Sequence, residues 1–163
     1  MSSCCERDAC AIPTTATNCP VSGTPGAQVD VQTVKALLTT SALQRLEPGP
    51  YRFCSAPDCE VVYFDEKGYT FSTADVRVGV WQKQPEGARV VCYCFGENES
   101  DIGAEIARDG RSHAAERVRA HIQAGRCACE VRNPRGACCL GDVTAAIKRL
   151  ATAAARSQTE GMQ

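Results

Sequence analysis

The stretch that decides the fold is CYCF at residues 92–95, followed by CAC at 127–129 and CCLGD at 138–142. These three segments hold six of the twelve cysteines, and 32 residues separate Cys94 from Cys127. Thiolates are the soft ligands that bind zinc and iron-sulfur clusters. The grouping therefore indicates a metal centre whose ligands come from both ends of this stretch.

Composition limits the classes of function. The 163 residues are 44% hydrophobic, which is enough to form the core of one ordinary domain or two small ones. The net charge is −1, so there is no electrostatic case for binding nucleic acid or an anionic membrane. The sequence has no run of 18 apolar residues and no secretion-type apolar segment, so we expect a cytoplasmic protein without a membrane span. A reducing compartment favours metal binding over disulfides for these cysteines.

The changes in pattern divide the chain into four parts. Residues 1–18 form a cysteine-containing arm, predicted to be flexible, which is either plain disorder or a metal-capturing segment with Cys4, Cys5 and Cys10. Residues 19–84 are predicted to form a zinc-binding β unit. Residues 85–156 are predicted to form a helical unit, and 157–163 a disordered tail. The fold class is therefore α+β.

The β unit is indicated by a period of two in its apolar residues. Tyr51 and Phe53 lead into the cysteine-bearing segment 54–59, the apolar run 61–64 follows, and 65–68 is a hairpin signal. Alternating valines at 76, 78 and 80 predict a further strand. The sequence therefore predicts a small antiparallel sheet with two cysteines on a turn between strands.

The helical unit is indicated by apolar residues at helical spacing. Ser41 is a predicted cap in the first unit, and Ser100 and Ser112 are the predicted starts of two helices in the second. A stripe from Val143 to Leu150 predicts a third helix, which CCLGD precedes. Thiolates at the start of a helix are stabilised by unpaired N–H groups and by the helix dipole.

A two-iron centre fits this pattern of thiols. In an extended Cys-x-Cys the side chains of Cys92 and Cys94 point to the same side, so both thiolates can reach one iron. The second iron then needs two thiolates from the segment 127–139. Asn133-Pro134-Arg135-Gly136 is the predicted turn between the two cysteine groups of that segment.

This part of the sequence resembles the bacterioferritin-associated ferredoxin type of 2Fe-2S domain. The longer pattern, from CPVSGTPG through YRFC, CEVVYF and VCYCF to GRCACE and NPRGACCLGDV, resembles the N-terminal zinc and 2Fe-2S domain of CopZ copper chaperones. The resemblance implies a 2Fe-2S cluster bound by Cys92, Cys94, Cys127 and Cys139. Cys138 is the alternative fourth ligand and Cys129 the third choice. Cysteines that do not bind the cluster are redox-active, bind a transferred metal, or are inert buried residues.

A zinc site is predicted in the β unit. Cys19, Cys54 and Cys59 supply three thiolates, and Ser22 stands where a CPxCG zinc knuckle has its second cysteine. Cys10, Asp58 or water are candidates for the fourth ligand. Three thiolates with a free position also suit mercury(II), arsenic(III) or copper(I), although structural zinc is the favoured interpretation because so small a unit needs a metal to hold it together.

These patterns predict a metal-homeostasis or metal-resistance accessory protein that handles a soft ion such as copper, mercury or arsenic. The partners expected are that ion and a metal-transport or redox protein. The alternatives are a small electron carrier or redox sensor, and a structural module. No pairing of residues indicates hydrolase or kinase chemistry. His113 and His121 are expected to face solvent without a function, and five arginines between 108 and 126 form a solvated face or a docking surface.

Overall fold

The computed structural model describes residues 16–160 of the chain. Cys4, Cys5 and Cys10, with the predicted flexible arm up to residue 15, lie outside the described residues. The elements in chain order are β1 (Ala27–Val29), α1 (Val31–Leu37), α2 (Thr40–Leu43), β2 (Tyr51–Phe53), β3 (Val61–Asp65), β4 (Thr70–Ser72), two 3-10 turns (Thr73–Asp75 and Trp81–Lys83), β5 (Val90–Cys92), β6 (Glu97–Asn98), α3 (Glu99–Asp109), α4 (Ala114–Gln123), α5 (Cys129–Arg132) and α6 (Leu140–Glu160). The mixed α+β class with a small antiparallel sheet is as predicted.

The first unit is a four-stranded antiparallel sheet in the order β1-β2-β3-β4. All five residues of the central strand β3 are buried, because apolar groups cover both of its faces. One face packs with α1 and α2 in a core that includes Tyr51, Phe53 and Tyr63. The other face carries Val61 and Phe64 and packs against three cysteines. The sheet therefore separates the main core from a small cysteine cluster.

Two predicted helix caps are wrong by two residues. Thr39, not Ser41, caps α2 and accepts a hydrogen bond from the Ala42 N–H. Asn98, not Ser100, caps α3. An N-cap residue needs an extended backbone, which Thr39 and Asn98 have, with ψ of 161° and 162°. The two serines lie inside the first turn of their helices.

The predicted strand through Val76, Val78 and Val80 is also corrected. Val76 makes one isolated antiparallel bridge to Leu38, outside the four-stranded sheet. Val76 and Val80 are buried in the main core as predicted. The alternation of apolar residues therefore predicted the burial of Val76 and Val80 correctly. The strand that it also predicted does not form, because within the described residues the backbone of this segment forms one bridge only.

The second unit packs α3 and α4 against α6, next to the β5-β6 hairpin. Ile102, Ile106 and Val118 lie in its core with Val143 and Ala146 of α6. The helix α6 runs on to Glu160, four residues beyond the predicted boundary at 156. Its apolar stripe faces the core as the spacing indicated.

The two units are joined by direct contacts. The Thr33 hydroxyl of α1 donates to the Glu130 carbonyl of α5 at 2.5 Å. The buried Tyr63 hydroxyl donates to the Pro134 carbonyl at 2.8 Å. A Cβ at Gly136 would lie 2.9 Å from the Thr33 hydroxyl, and Gly136 has a φ of +67°, so a side chain there is disfavoured twice. The segment between the last two cysteine groups therefore rests on the β unit.

Candidate metal centres

The first centre begins with a tight turn at Cys19. The Cys19 carbonyl accepts a hydrogen bond from the Gly23 N–H at 2.9 Å, and the Cys19 N–H donates to the Thr24 carbonyl at 2.8 Å. Gly23 has a φ of +72°, a conformation that glycine adopts without strain. The turn places the side chains of Cys19 and Ser22 on the same side as the 54–59 loop.

The other two cysteines of this centre lie on the loop between β2 and β3, as predicted. The Sγ atoms of Cys19, Cys54 and Cys59 lie within 4.8 Å of one another. The Cys19 and Cys59 sulfurs are 3.9 Å apart. A tetrahedral ion with bonds of about 2.3 Å to sulfur requires an edge of about 3.8 Å, so this spacing fits zinc.

The surroundings of the three thiols suit a cation. All three cysteines are buried, with Val61 and Phe64 beside them. The Lys83 ammonium donates to the carbonyl oxygens of Ala56 and Cys59, both at 2.8 Å. Three buried thiolates are costly without positive charge. A divalent ion supplies most of that charge, and Lys83 supplies more beside the loop.

The thiols of this centre differ in acidity. Burial acts to raise the pKa of Cys19, but hydrogen bonds from the Ser22 hydroxyl and from the N–H groups of Ser22 and Val21 outweigh it and lower the pKa to about 7. Burial raises the pKa of Cys54, although the Ser22 hydroxyl acts against it. Ser22 therefore lies beside Cys54, at 3.4 Å, and influences the pKa of Cys19 as well, a role that the sequence pattern did not assign to it.

The second centre takes its cysteines from three segments. Cys92 ends β5, and Cys94 lies on the turn that leads to β6, where the Gly96 N–H donates to the Cys92 carbonyl at 2.9 Å. Cys129 begins α5. Cys139 directly precedes α6, and its carbonyl oxygen accepts a hydrogen bond from the Val143 N–H. The Cys-x-Cys is therefore a turn rather than the extended segment we predicted.

The sulfurs of the second centre form two close pairs. Cys139 Sγ donates to Cys92 Sγ at 2.8 Å, and the Sγ atoms of Cys94 and Cys129 are 3.7 Å apart. Cys129 and Cys139 each shift the pKa of the other, so the two pairs are neighbours. The Cys94 sulfur accepts a further hydrogen bond from the Ala128 N–H at 3.3 Å. Four thiols, at 92, 94, 129 and 139, thus come together.

The remaining two cysteines of this region are placed differently. Cys127 is half-buried at the edge of the helical core, and Cys138 is exposed. Among the described residues, the hydrogen-bonded sulfur contacts of the second centre involve Cys129 and not Cys127. The ligand assignment stays a prediction, and its third choice, Cys129, is the one that lies beside Cys94.

Hydrogen bonding and burial separate the pKa values of the buried thiols. The hydrogen bond from Cys139, with help from the Phe95 and Cys94 N–H groups, lowers the pKa of Cys92 to about 7 against the effect of burial. The same contact with Cys92, together with burial, raises the pKa of Cys139. Burial raises the pKa of Cys129 to about 11. Of Cys92, Cys129 and Cys139, Cys92 is therefore the thiol that loses its proton most readily.

The histidines and arginines near this centre differ from expectation. His121 does not simply face solvent, because its ring stacks on Phe95 with centroids 4.1 Å apart. Arg117 is paired with Glu97 and Glu105 at 2.8 and 2.6 Å, and Arg108 with Asp109. These pairs neutralise part of the predicted basic surface.

Comparisons with known proteins agree with this architecture. A family described as a zinc binding domain, of the CopZ type, matches residues 16–77. The X-ray structure of the Archaeoglobus fulgidus CopZ N-terminal domain is 32% identical, with a TM-score of 0.63, and the match covers 75% of this chain and 91% of that one. The chain belongs to the family of CopZ N-terminal domains.

The match to a whole CopZ protein is partial. The copper chaperone CopZ of Archaeoglobus fulgidus is 33% identical over 121 residues, which are 74% of this chain. The chain spans 57% of the length of that CopZ. None of the helices within residues 16–160 has the length and apolar character needed to cross a membrane.

Proposed function

We propose that this protein is an iron-sulfur and zinc protein of metal homeostasis, which handles a soft metal ion and transfers single electrons at a 2Fe-2S cluster. The convergence of four thiols from three segments onto one place is the observation that carries the proposal. The fit of the β unit to zinc, and the CopZ N-terminal family, support it.

The four thiols at 92, 94, 129 and 139 suit a two-iron group. Each iron of such a cluster takes two thiolates, and the sulfurs here already lie in two pairs. The 3.7 Å between Cys94 and Cys129 is close to the edge of about 3.8 Å for a tetrahedral metal with sulfur bonds of about 2.3 Å. Cys92 and Cys139, at 2.8 Å, would separate by about 1 Å to bind one iron. When bound, the cluster supplies one-electron chemistry.

Cys129 replaces Cys127 in the ligand set that we propose. Both cysteines of the CAC segment fit the sequence spacing, since they are only two residues apart. Cys129 is buried and opens α5 directly beside Cys94, whereas Cys127 is half-buried. A buried thiolate close to a second sulfur is the better cluster ligand, and the half-buried Cys127 is freer to exchange.

Backbone donors around these sulfurs fit an anionic cluster. The Ala128 N–H donates to Cys94 Sγ, and the Phe95 and Cys94 N–H groups act on Cys92. Cys139 lies at the N-terminal end of the 21-residue helix α6, where the helix dipole favours negative charge. Such hydrogen bonds raise the reduction potential of a cluster by stabilising the added electron.

The spare thiols are the candidates for handling a soft ion. Cys138 is exposed beside Cys139, and Cys127 is half-buried beside Cys129. Thiolates select copper(I), and mercury(II) or arsenic(III) by the same softness. The relative from Archaeoglobus is named a copper chaperone, which favours copper among these ions. A metal-transport or redox protein would be the partner, and the cytoplasm the compartment.

Metal analysis of anaerobically purified protein tests the proposal. About two irons, about two sulfides and about one zinc per chain are expected, with a spin-half electron paramagnetic resonance signal after one-electron reduction. Copper(I) titration in competition with a chelator then tests ion handling. Tight binding that is lost in a Cys127→Ser, Cys138→Ser double variant, with the cluster retained, supports a role in metal handling. A reversible one-electron couple without tight binding of copper, mercury or arsenic would instead indicate an electron carrier or redox sensor. Absence of iron from the anaerobically purified protein would overturn the proposed cluster.

A further inference from the structure

We propose that the Ser22 hydroxyl holds the fourth position of the zinc centre, so that zinc is bound by three thiolates and one serine oxygen. This inference rests on the proposed zinc binding by Cys19, Cys54 and Cys59. It concerns a residue at which the chain departs from a four-cysteine knuckle, and it names the ligand that the sequence left open.

The position of the oxygen is the first support. Ser22 Oγ lies 3.4 Å from Cys54 Sγ. A tetrahedral zinc with bonds of about 2.3 Å to sulfur and about 2.1 Å to oxygen places these two ligand atoms about 3.6 Å apart. The oxygen is therefore at the distance from Cys54 that a fourth ligand needs. The third sulfur, Cys59, completes the group through its 3.9 Å spacing from Cys19.

The second support is that the turn holds this hydroxyl in place. The Thr24 N–H donates to Ser22 Oγ at 3.3 Å, and the Gly23 N–H closes the turn on the Cys19 carbonyl. A serine hydroxyl has two lone pairs and one proton. The Thr24 N–H uses one lone pair, which leaves the other for the ion. Ser22 lies on the exposed edge of the centre, so the hydroxyl proton can face water.

Among the described residues, neither Asp58 nor Ser55 makes such contacts. Asp58 is exposed, and among the hydrogen bonds of the described residues its carboxylate makes none to the three thiols. Cys10 lies outside the described residues. Ser55 is exposed on the same loop as Cys54, but within the described part of the chain it makes no hydrogen bond to a sulfur. Ser55 therefore serves as the matched control for Ser22.

The chemistry of this ligand has a consequence for exchange. A neutral serine oxygen binds zinc more weakly than a thiolate, and it lies on the solvent side of the centre. An incoming thiolate can form a bond to the ion while the Ser22 oxygen leaves, with no change in oxidation state. The centre would then hold zinc firmly on three sides and admit a fourth ligand on one.

Zinc-edge X-ray absorption of the full, cluster-containing protein tests the ligand set, because it detects zinc without interference from iron. About three sulfurs and one oxygen are expected for the wild type. Ser22→Cys should bind about four sulfurs and hold zinc at least about tenfold more tightly in competition with a chelator. Ser55→Cys should keep three sulfurs and the wild-type affinity.

Affinity of two further variants tests the oxygen itself. Ser22→Ala should bind zinc about tenfold more weakly, and Ser22→Thr, which keeps the hydroxyl, should stay within about threefold of the wild type. Wild-type affinity in Ser22→Ala, or three sulfurs in Ser22→Cys, would overturn the inference. Four sulfurs in the wild type, lost in Cys10→Ser, or a matching loss of affinity in Asp58→Asn, would do the same. A wild type without zinc would overturn the proposed zinc centre instead.

Discussion

The two centres are built in different ways. The zinc centre takes two cysteines from one loop between paired strands and a third from an adjoining turn, and its sulfurs lie within 4.8 Å of one another. The second centre takes Cys92 and Cys94 from the β5-β6 hairpin, and the other two thiols, Cys129 and Cys139, lie at the starts of α5 and α6. Each thiol of the hairpin forms a close pair with one thiol from a helix start. A single compact cluster of sulfurs suits one ion, while two linked pairs suit a two-iron group.

The centres also differ in their access to solvent. All three thiols of the zinc centre are buried, and a lysine holds their loop. In the second centre Cys92, Cys129 and Cys139 are buried and Cys94 is half-buried; beside it, Cys127 is half-buried and Cys138 is exposed. We infer that the first centre stabilises the fold and that the second is the one that meets partners.

The largest effect is expected from the choice of cluster ligand. Cys129→Ser should reduce iron from about two per chain to near zero, because it removes one of the two thiolates of a pair. Cys127→Ser, two residues away on the same segment, is the matched variant and should keep its iron. Iron and sulfide analysis with visible absorption measures both. Iron loss in Cys127→Ser alone would restore the set predicted from sequence spacing.

Loss of zinc should affect stability rather than the cluster. Cys54→Ala removes a fully buried thiol of the zinc centre, so zinc should fall to near zero. The free energy of unfolding should drop by about 3–5 kcal/mol, less than the about 10–16 kcal/mol of zinc-finger peptides, because the β unit keeps its own apolar core. Metal analysis and denaturant unfolding measure this. Iron should stay at about two per chain, and its loss as well would show that the centres are not independent.

The sequence predicted the zinc loop well because its signals are local. Cys54 and Cys59 lie between two strands that are readable from their period of two, so the turn follows from the strands themselves. Cys19 and Ser22 are likewise set by a short glycine turn. The role of Ser22 beside the sulfurs is not readable from its residue type, since the knuckle pattern has a cysteine there.

The second centre was less predictable because its geometry is set at long range. Spacing alone does not separate Cys127 from Cys129. The distinction comes from where α5 begins, and α5 is placed by contacts with the β unit, including Thr33 to the Glu130 carbonyl. The strand predicted near Val78 failed for a related reason, since a strand needs a partner and only Val76 finds one.

A medium effect is expected from the lysine that holds the zinc loop. Lys83→Met removes two hydrogen bonds to the Ala56 and Cys59 carbonyls and a positive charge near the thiolates. Zinc affinity should fall about tenfold, which is the lower end of the loss usually seen when a residue that holds a metal ligand in place is replaced. Competition with a chelator measures the affinity. Lys148→Met on the exposed side of α6 is the control, and the cluster's reduction potential should change in neither variant. Unaltered zinc affinity in Lys83→Met would show that the loop holds its shape without this contact.

The smallest effect concerns the helices that support the second centre. Glu105 of α3 accepts hydrogen bonds from the Ser112 hydroxyl at 2.6 Å, from the His113 N–H at 2.9 Å and from Arg117. The bond from Ser112 and the contacts from His113 and Arg117 lower the pKa of Glu105 from 4.5 to about 2, although burial acts against them. Because the folded pKa is below the unfolded one, the stabilisation is present above about pH 4.5 and is lost as pH falls towards about 2.

Replacement of this carboxylate should therefore matter at neutral pH and not in acid. Glu105→Gln should lower the free energy of unfolding by about 1 kcal/mol at pH 7, because the charge is lost while the amide oxygen can still accept one hydrogen bond, and by progressively less below about pH 4.5. Denaturant unfolding of the wild type and of Glu105→Gln between pH 3 and pH 7 measures the difference in their free energies of unfolding. Both proteins lose metal in acid, so that loss does not contribute to the difference. Glu116→Gln, at an exposed position on α4, should change stability by less than about 0.5 kcal/mol at every pH. A constant difference for Glu105→Gln across this range would mean that Glu105 supports α4 by its shape and not by its charge.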